Sequence, residues 1–224
     1  IASTSSENYF AVRVIMEPLS SSFRDPSGFV FSFENCVYRQ VNNGFAETYE
    51  AFVESGLYEK LVSRGLLVAH EEIVDGSVTG TAECYKILKP QQIPFISYPY
   101  EWSFNLLKEA ALLHLSIAIQ ALEKDIVLTD ASAYNIQFIG PKPIFIDHLS
   151  FKPYTDREYW VGHRQFCEQF LNPLLLRAKL DVPHNAWFRG TQEGITKAAP
   201  SEYLRQGHAL PLNIHGHGVH WLRV

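Results

Sequence analysis

Asp130 and Asn135 stand in the segment Leu128-Thr129-Asp130-Ala131-Ser132-Ala133-Tyr134-Asn135, and a second apolar run, Pro143-Ile144-Phe145-Ile146, ends on Asp147. Two carboxylates and a carboxamide at this spacing suit phosphoryl transfer. One carboxylate orients an attacking hydroxyl, while the amide oxygen and the second carboxylate hold Mg²⁺ against the phosphate. Each residue also has a plain structural use. Asp and Asn brace turns by bonding local backbone, and a strand-end Asp can face water. An Asp that closes an Ile-Phe-Ile run is costly to bury unless it is paired or metal-bound. The apolar helical stretch before Asp130 and the short strand before Asp147 weigh the triplet towards chemistry.

Elements with suitable periodicity surround these residues. Trp102 to about Lys124 predicts a long helix, with Ser103 as cap and Leu106, Leu107, Ala110, Leu113, Leu115, Ile117, Ile119 and Leu122 as its apolar face. Ile136–Ile139 and Ile144–Asp147 predict two strands around the turn Gly140-Pro141-Lys142-Pro143. Further upstream, Phe10–Ile15 is a β-rich run, and Gly28–Phe33 and Val37–Val41 predict a hairpin across Glu34-Asn35. A helix is expected from Ala46 to about Arg64, followed by strands over Leu66–Ile73 and Glu83–Leu88 with Asp75-Gly76 as a turn. Pro94–Pro99 reads as a short buried strand leading into a connector, with Phe95 and Trp102 as core residues. Glu158–Ala178 is expected to be helical and bent near Pro173, and Glu193 to about Arg205 to hold a further helix interrupted by Pro200.

The 224 residues allow one sizeable domain or two lobes. A net charge of −5, with no basic stripe, argues against a nucleic-acid binder. Apolar runs are too short to span a bilayer and no secretory signal is visible, so a cytoplasmic protein is expected. The cysteines Cys36, Cys84 and Cys167 are widely spaced, which fits a reducing compartment and carries no metal-site signal. The chain opens on Ile1 and closes on Trp221-Leu222-Arg223-Val224, so a piece of a longer protein is expected.

The order of elements, with Asp130, Asn135 and Asp147, resembles the protein-kinase-like superfamily, in the branch of aminoglycoside and choline phosphotransferases. More narrowly, FRDPSGFVF, VYRQV, PFISYPYEWSF and LTDASAYNIQF-IGPKPIFIDHLSF are similar to the N-terminal kinase-like region of bacterial proteins labelled SAM-dependent methyltransferases or nodulation-type proteins. The resemblance implies an α+β, two-lobed kinase-like fold, with a strand-rich N-lobe over residues 1–97, a helical C-lobe over 98–224 and a nucleotide between them. It implies ATP and Mg²⁺ as cofactors, a small-molecule or glycan hydroxyl as acceptor, and a covalently linked methyltransferase domain that would use SAM. Residue by residue, Asp130 matches the catalytic-loop Asp, and Asn135 and Asp147 match the metal ligands. Arg39 falls where the phosphate-binding Lys stands, and Glu50 or Glu54, with Glu54 preferred, falls where its partner stands. Tyr98 and its neighbours fall at the hinge whose backbone meets adenine. The chain departs from the pattern in Leu128-Thr129 before Asp130, in His148-Leu149 after Asp147, in Arg39 itself, and in lacking a Gly-rich loop. These departures leave a second reading open, a pseudokinase that binds nucleotide or scaffolds the methyltransferase.

Other clusters carry less. His148 is a group beside the metal or one that satisfies neighbouring backbone. His208, His215, His217 and His220 lack a Cys or acidic residue within Gln206–Val224, so a polar strand or linker is expected there rather than a zinc site. Phe95, Tyr98, Tyr100, Trp102 and Phe104 either frame a ligand or pack where lobes meet. Arg164 is expected on a helix surface.

Overall fold

A computed structural model describes residues 25–190 and 193–195 of the chain. The fold is α+β and divides into two compact units. Among the described residues, the first joins Asp25–Ala46 with His70–Pro90, and the second joins Glu47–Ala69 with the residues that follow Pro90. Residues 47–69, which precede the long helix in sequence, thus cluster with it. The run Phe10–Ile15 and the cluster from His208 to His220 lie outside the described residues.

In the first unit, strands β1 (Gly28–Phe33), β2 (Cys36–Asn42), β3 (His70–Glu72) and β4 (Cys84–Pro90) form an antiparallel sheet in the order β1-β2-β4-β3. The expected hairpin is present. Glu34 and Asn35 have φ of 48° and 61°, the left-handed pair that a two-residue turn matching strand twist requires. Phe31, Tyr38, Val78 and Ile87 form a small core, with Phe31 stacked on Tyr38 at 5.6 Å. Gln40 is buried on β2, and its amide ties the loop before β4 to the sheet. Nε2 donates to Thr81 Oγ1 at 2.7 Å, and Thr81 N donates to Oε1 at 2.9 Å.

The second unit begins with α1 (Ala46–Glu54) and α2 (Leu57–Ser63), where the periodicity predicts one helix. The break is local chemistry. Gly56 takes φ 74°, Ser55 Oγ donates to Phe52 O at 2.7 Å, and Leu57 N donates to Ser55 Oγ at 3.1 Å, so one serine closes the first helix and opens the next. The strand expected over Leu66–Ile73 is also split. Leu66 and Val68 bond Phe145, and only His70–Glu72 joins the first unit's sheet.

Pro94–Pro99 forms no strand, and Phe95 is 74% exposed rather than core. The prolines remove ladder donors. The backbone of Ser97 is met instead by a side chain: Ser97 N donates to Gln137 Oε1 at 2.9 Å and Gln137 Nε2 donates back to Ser97 O at 3.1 Å. Trp102 is core as expected, and its Nε1 donates to Ser97 Oγ at 2.9 Å.

The long helix α3 runs Phe104–Leu122, with Ser103 Oγ accepting from Leu106 N. Leu107, Ala110, Leu113 and Ile117 are buried, but Ile119 and Leu122 are exposed, because the buried stripe runs through Ala118 and Ala121 instead. Strand β5 (Ile126–Leu128) pairs with β8 (Phe151–Pro153), and β6 (Ile136–Ile139) with β7 (Lys142–Phe145) around Gly140. The strand expected to reach Asp147 stops at Phe145.

After β8 come α4 (His163–Phe166), a π-helical turn (Cys167–Leu171), α5 (Asn172–Leu180) and α6 (Asn185–Gly190). The bend expected near Pro173 is this π turn. Proline has no N–H for the carbonyl four residues back and its ring crowds that carbonyl, so the helix widens ahead of it. In that wider turn Pro173 also has no N–H for the carbonyl five residues back, that of Glu168, which accepts instead from Ile195 N at 2.7 Å. Glu193–Ile195 are not helical, and the remainder of the helix expected there lies outside the described residues. The core joins α1–α3, β5–β8 and α4–α6, and includes Phe52 stacked on Phe151 at 4.3 Å.

Candidate functional site

Two loops of the second unit carry Asp130, Asn135 and Asp147, and two short ladders close those loops against each other. The segment 129–135 leaves β5 and enters β6. The segment 146–150 leaves β7 and enters β8. Leu128 pairs with Phe151 and Ile136 with Phe145. Just inside the ladders, Thr129 N donates to Ser150 O at 2.7 Å and Ile146 N to Asn135 O at 2.9 Å. Asp130 therefore follows one closure, Asn135 sits at the other, and Asp147 lies on the facing loop directly after the second. All three are half-buried.

Every backbone N–H from Ala131 to Asn135 is committed. Ala131 N donates to Gln165 Oε1 at 2.8 Å, and Ser132 N to Asp130 Oδ1 at 2.8 Å. Ala133 N donates to Gln169 Oε1 at 2.7 Å, Tyr134 N to Ser132 Oγ at 3.2 Å, and Asn135 N to Ser132 O at 3.2 Å. A short 3₁₀ turn, Ala133–Asn135, follows from Ser132 acting as its cap. With these donors used, the loop has no nest of free amides for an anion. Its outward chemistry rests on side chains.

Carbonyls are held from below. Trp160 Nε1 donates to Leu128 O at 2.6 Å, and His114 Nε2 lies 3.1 Å from Asp130 O. His114 comes from α3, is fully buried, and has the rings of Phe145, Trp160, Phe166 and Phe170 within 5.9 Å. Burial pushes its pKa down to about 4, so the ring is neutral near pH 7. Nε2 must then carry the proton, since its neighbour is a carbonyl. Sequence reasoning missed His114, Trp160, Gln165 and Gln169. The one available signal was a polar residue inside an apolar stripe, as His114 is between Ala110 and Ile117.

Asp147 is oriented by its own loop. Leu149 N donates to Oδ1 at 3.1 Å and Ser150 Oγ donates to Oδ2. An ionised carboxylate oxygen can accept more than one bond. Asp130 Oδ2 receives no hydrogen bond from a described residue, and Asn135 Nδ2 is buried with none. His148 is buried and its Nε2 lies 2.8 Å from Val68 O, so it serves the backbone of the Leu66–Val68 segment. Among the described residues no group of three His, Cys, Asp or Glu converges as a metal cage.

The remaining expected site residues fall as follows. Arg39 is buried on β2 of the first unit and pairs with Asp25 at 3.3 Å. Glu54 is exposed at the end of α1, whereas Glu50 is half-buried and has a bonding partner. Tyr98 has an exposed ring stacked on Tyr100 at 5.4 Å and 8°. Its backbone is spent in a turn: Tyr98 N donates to Glu101 Oε2 at 2.8 Å, and Glu101 N donates to Tyr98 O at 2.8 Å. The capping box thus occupies the Tyr98 N–H, one of the backbone groups at the expected hinge. Arg164 lies on the surface as expected, paired with Glu168 at 3.0 Å. Among the described residues no helix is long and apolar enough to cross a membrane.

Comparison with known proteins gives one informative likeness. The chain is 42% identical over 187 residues to the nodulation protein NoeA of Rhizobium meliloti (strain 1021). The match covers 80% of this chain and 38% of that protein, so the chain spans well under half the length of the curated relative it matches. No family model matches the chain.

Proposed function

We propose that this chain carries an ATP- and Mg²⁺-dependent phosphotransferase site, acting on a small-molecule or glycan hydroxyl, in a kinase-like two-lobed fold. The observation that carries this reading is the pair of facing loops, closed at both ends by ladders, that bear Asp130, Asn135 and Asp147. Asp130 Oδ2 would orient the acceptor hydroxyl and take its proton, with Oδ1 fixed by Ser132 N. The Asn135 amide oxygen and the Asp147 carboxylate are hard oxygen donors that suit Mg²⁺, an ion commonly held by one or two carboxylates together with substrate phosphates and water. The ion would neutralise charge on the phosphates. An attached SAM-dependent methyltransferase region, a cytoplasmic setting, and the nodulation context that NoeA's name carries belong to the same proposal.

A second reading, a pseudokinase module that binds nucleotide or scaffolds that methyltransferase, has its own support. The β1–β2 connection is the two-residue turn Glu34-Asn35, with a carboxylate in place of glycines, and the Tyr98 N–H is occupied. Titration with an ATP analogue, with and without Mg²⁺, and a measurement of ATP consumption separate the two. Mg²⁺-dependent consumption lost in Asp130→Ala and in Asp147→Ala is the expected result. Binding without consumption, unchanged by Asp130→Ala, would favour the pseudokinase, and absence of binding would refute a nucleotide site in either reading.

A further inference from the structure

Besides its half-buried Asp130 and Asn135, the loop owes its shape to one fully buried group whose type is surprising. His114 lies on the buried stripe of α3, where Leu107, Ala110, Ala111, Ile117 and Ala118 are its companions. A packing role alone calls for an apolar residue of similar volume. An imidazole there has to leave water, and its Nδ1 is buried with no partner among the described residues. Among the described residues its single polar contact is Nε2 to Asp130 O at 3.1 Å.

We infer that His114 is a positioning residue for Asp130: its Nε2–H, aimed from inside the aromatic cage, fixes the Asp130 carbonyl and thereby the direction of the Asp130 carboxylate. The inference rests on the phosphotransferase reading of the site. Geometry supports it from both sides of the peptide. Asp130 Oδ1 is tied to Ser132 N and the following amide, Ala131 N, is tied to Gln165. With His114 in place, the Asp130 backbone is held on its carbonyl side and its next amide, and one carboxylate oxygen is spent. The other oxygen then has a single direction. Without His114, the Asp130–Ala131 peptide keeps only its tie to Gln165, so it can tilt about that bond and carry the Asp130 Cα and its carboxylate with it. Substrate binding that depends on groups elsewhere is untouched by such a rotation.

The test uses the full chain and two independent readouts. In the protein labelled with ¹⁵N-histidine, the resonance missing from His114→Gln reports the tautomer of His114. A neutral ring protonated at Nε2 at pH 7 is expected, and protonation at Nδ1 overturns the assignment. Steady-state ATP consumption with Mg²⁺ is then measured for wild type, His114→Leu and His114→Gln, each checked for a native circular dichroism spectrum. A misplaced reacting group costs about a hundredfold, so kcat of His114→Leu is expected to fall by that order while KM for Mg·ATP stays within about twofold. His114→Gln, whose amide can donate to the same carbonyl, recovers a large part of kcat. Equal kcat in wild type and His114→Leu, a parallel change in KM, or no recovery in His114→Gln overturns the positioning role. Should wild type consume no ATP, the phosphotransferase reading fails together with the role, and the tautomer still decides whether the hydrogen bond exists.

Discussion

Gln169→Leu removes one atom pair on which the loop depends, and its cost follows from burial. Gln169 is 4% exposed, and its Oε1 accepts from Ala133 N at 2.7 Å and from Ser132 Oγ at 3.4 Å. Leucine fills similar volume but accepts nothing, so Ala133 N–H is left buried and unpaired. An unsatisfied buried donor costs about 1–3 kcal/mol. For a chain of this size each kcal/mol shifts Tm by about 2–4 °C, so a fall of about 4–8 °C is expected at the middle of that range. Gln169→Glu retains the acceptor, and protonation at low pH removes the charge that burial penalises. The deficit of Gln169→Glu relative to wild type is therefore expected to shrink from pH 8 to pH 5, while that of Gln169→Leu stays constant. Differential scanning fluorimetry at both pH values measures this. A Gln169→Leu protein melting within about 1 °C of wild type would refute the claim that the loop amides depend on this carboxamide.

Gly194 has φ 82°, and a Cβ there would clash with the Glu168 carbonyl oxygen, whereas Gly56 has φ 74° with open space around it. Gly56→Ala is expected to cost about 1 kcal/mol of backbone strain, and Gly194→Ala more than twice that, since the clash is added; equal urea midpoints would refute the close approach. His114 supplies a pH dependence. Its folded pKa of about 4 lies below the ordinary 6.5, so the unfolded chain binds more protons between those values and stability falls as pH drops through that window. The loss approaches about 3 kcal/mol, and His114→Leu should flatten the slope of urea stability between pH 6.5 and pH 4. Among the described residues, the aromatic and polar groups against His114 are four rings and the Asp130 carbonyl, none of them charged.

Local patterns were legible where a short-range rule decides the outcome. The Glu34-Asn35 hairpin, the Ser103 cap, the Gly140 turn and the burial of Trp102 follow from turn chemistry, capping and apolar periodicity. The misreadings arose where two short-range rules compete. Helical periodicity runs unbroken through Ala46–Arg64, yet Ser55 and Gly56 bond as cap and left-handed turn and cut it. Apolar content predicts a buried strand at Pro94–Pro99, yet two prolines deny it a ladder and a distant glutamine side chain takes the backbone of Ser97. The pairing of β5 with β8 was missed because each strand has only three residues, too few to show a period.

The candidate site divides along the same line. The half-buried candidates Asp130, Asn135 and Asp147 could be named from spacing, because chemistry restricts their types and a loop restricts their separation. The residues that hold the loop could not. Gln165 and Gln169 lie 34 and 36 residues beyond the amides they receive, and His114 lies 16 before its carbonyl. Glutamine is ordinary on a helix, so neither its type nor its spacing marks a residue that reaches a distant amide. The marker is the accounting of backbone partners. Once the five amides from Ala131 to Asn135 and the carbonyls of Leu128 and Asp130 are assigned, few polar groups of the segment lack a bond from a described residue. Among its side chains these are Asp130 Oδ2, the Asn135 amide and the Tyr134 hydroxyl. A loop built only to turn the chain would have used Asp130 and Asn135 to satisfy its own amides. Here Asp130 gives a single oxygen to that task and Asn135 gives none, although two glutamines and a histidine have been brought from distant helices to complete it. That arrangement leaves a carboxylate oxygen and a carboxamide without a bond from a described residue, and it is the strongest structural argument that the segment works on something other than itself.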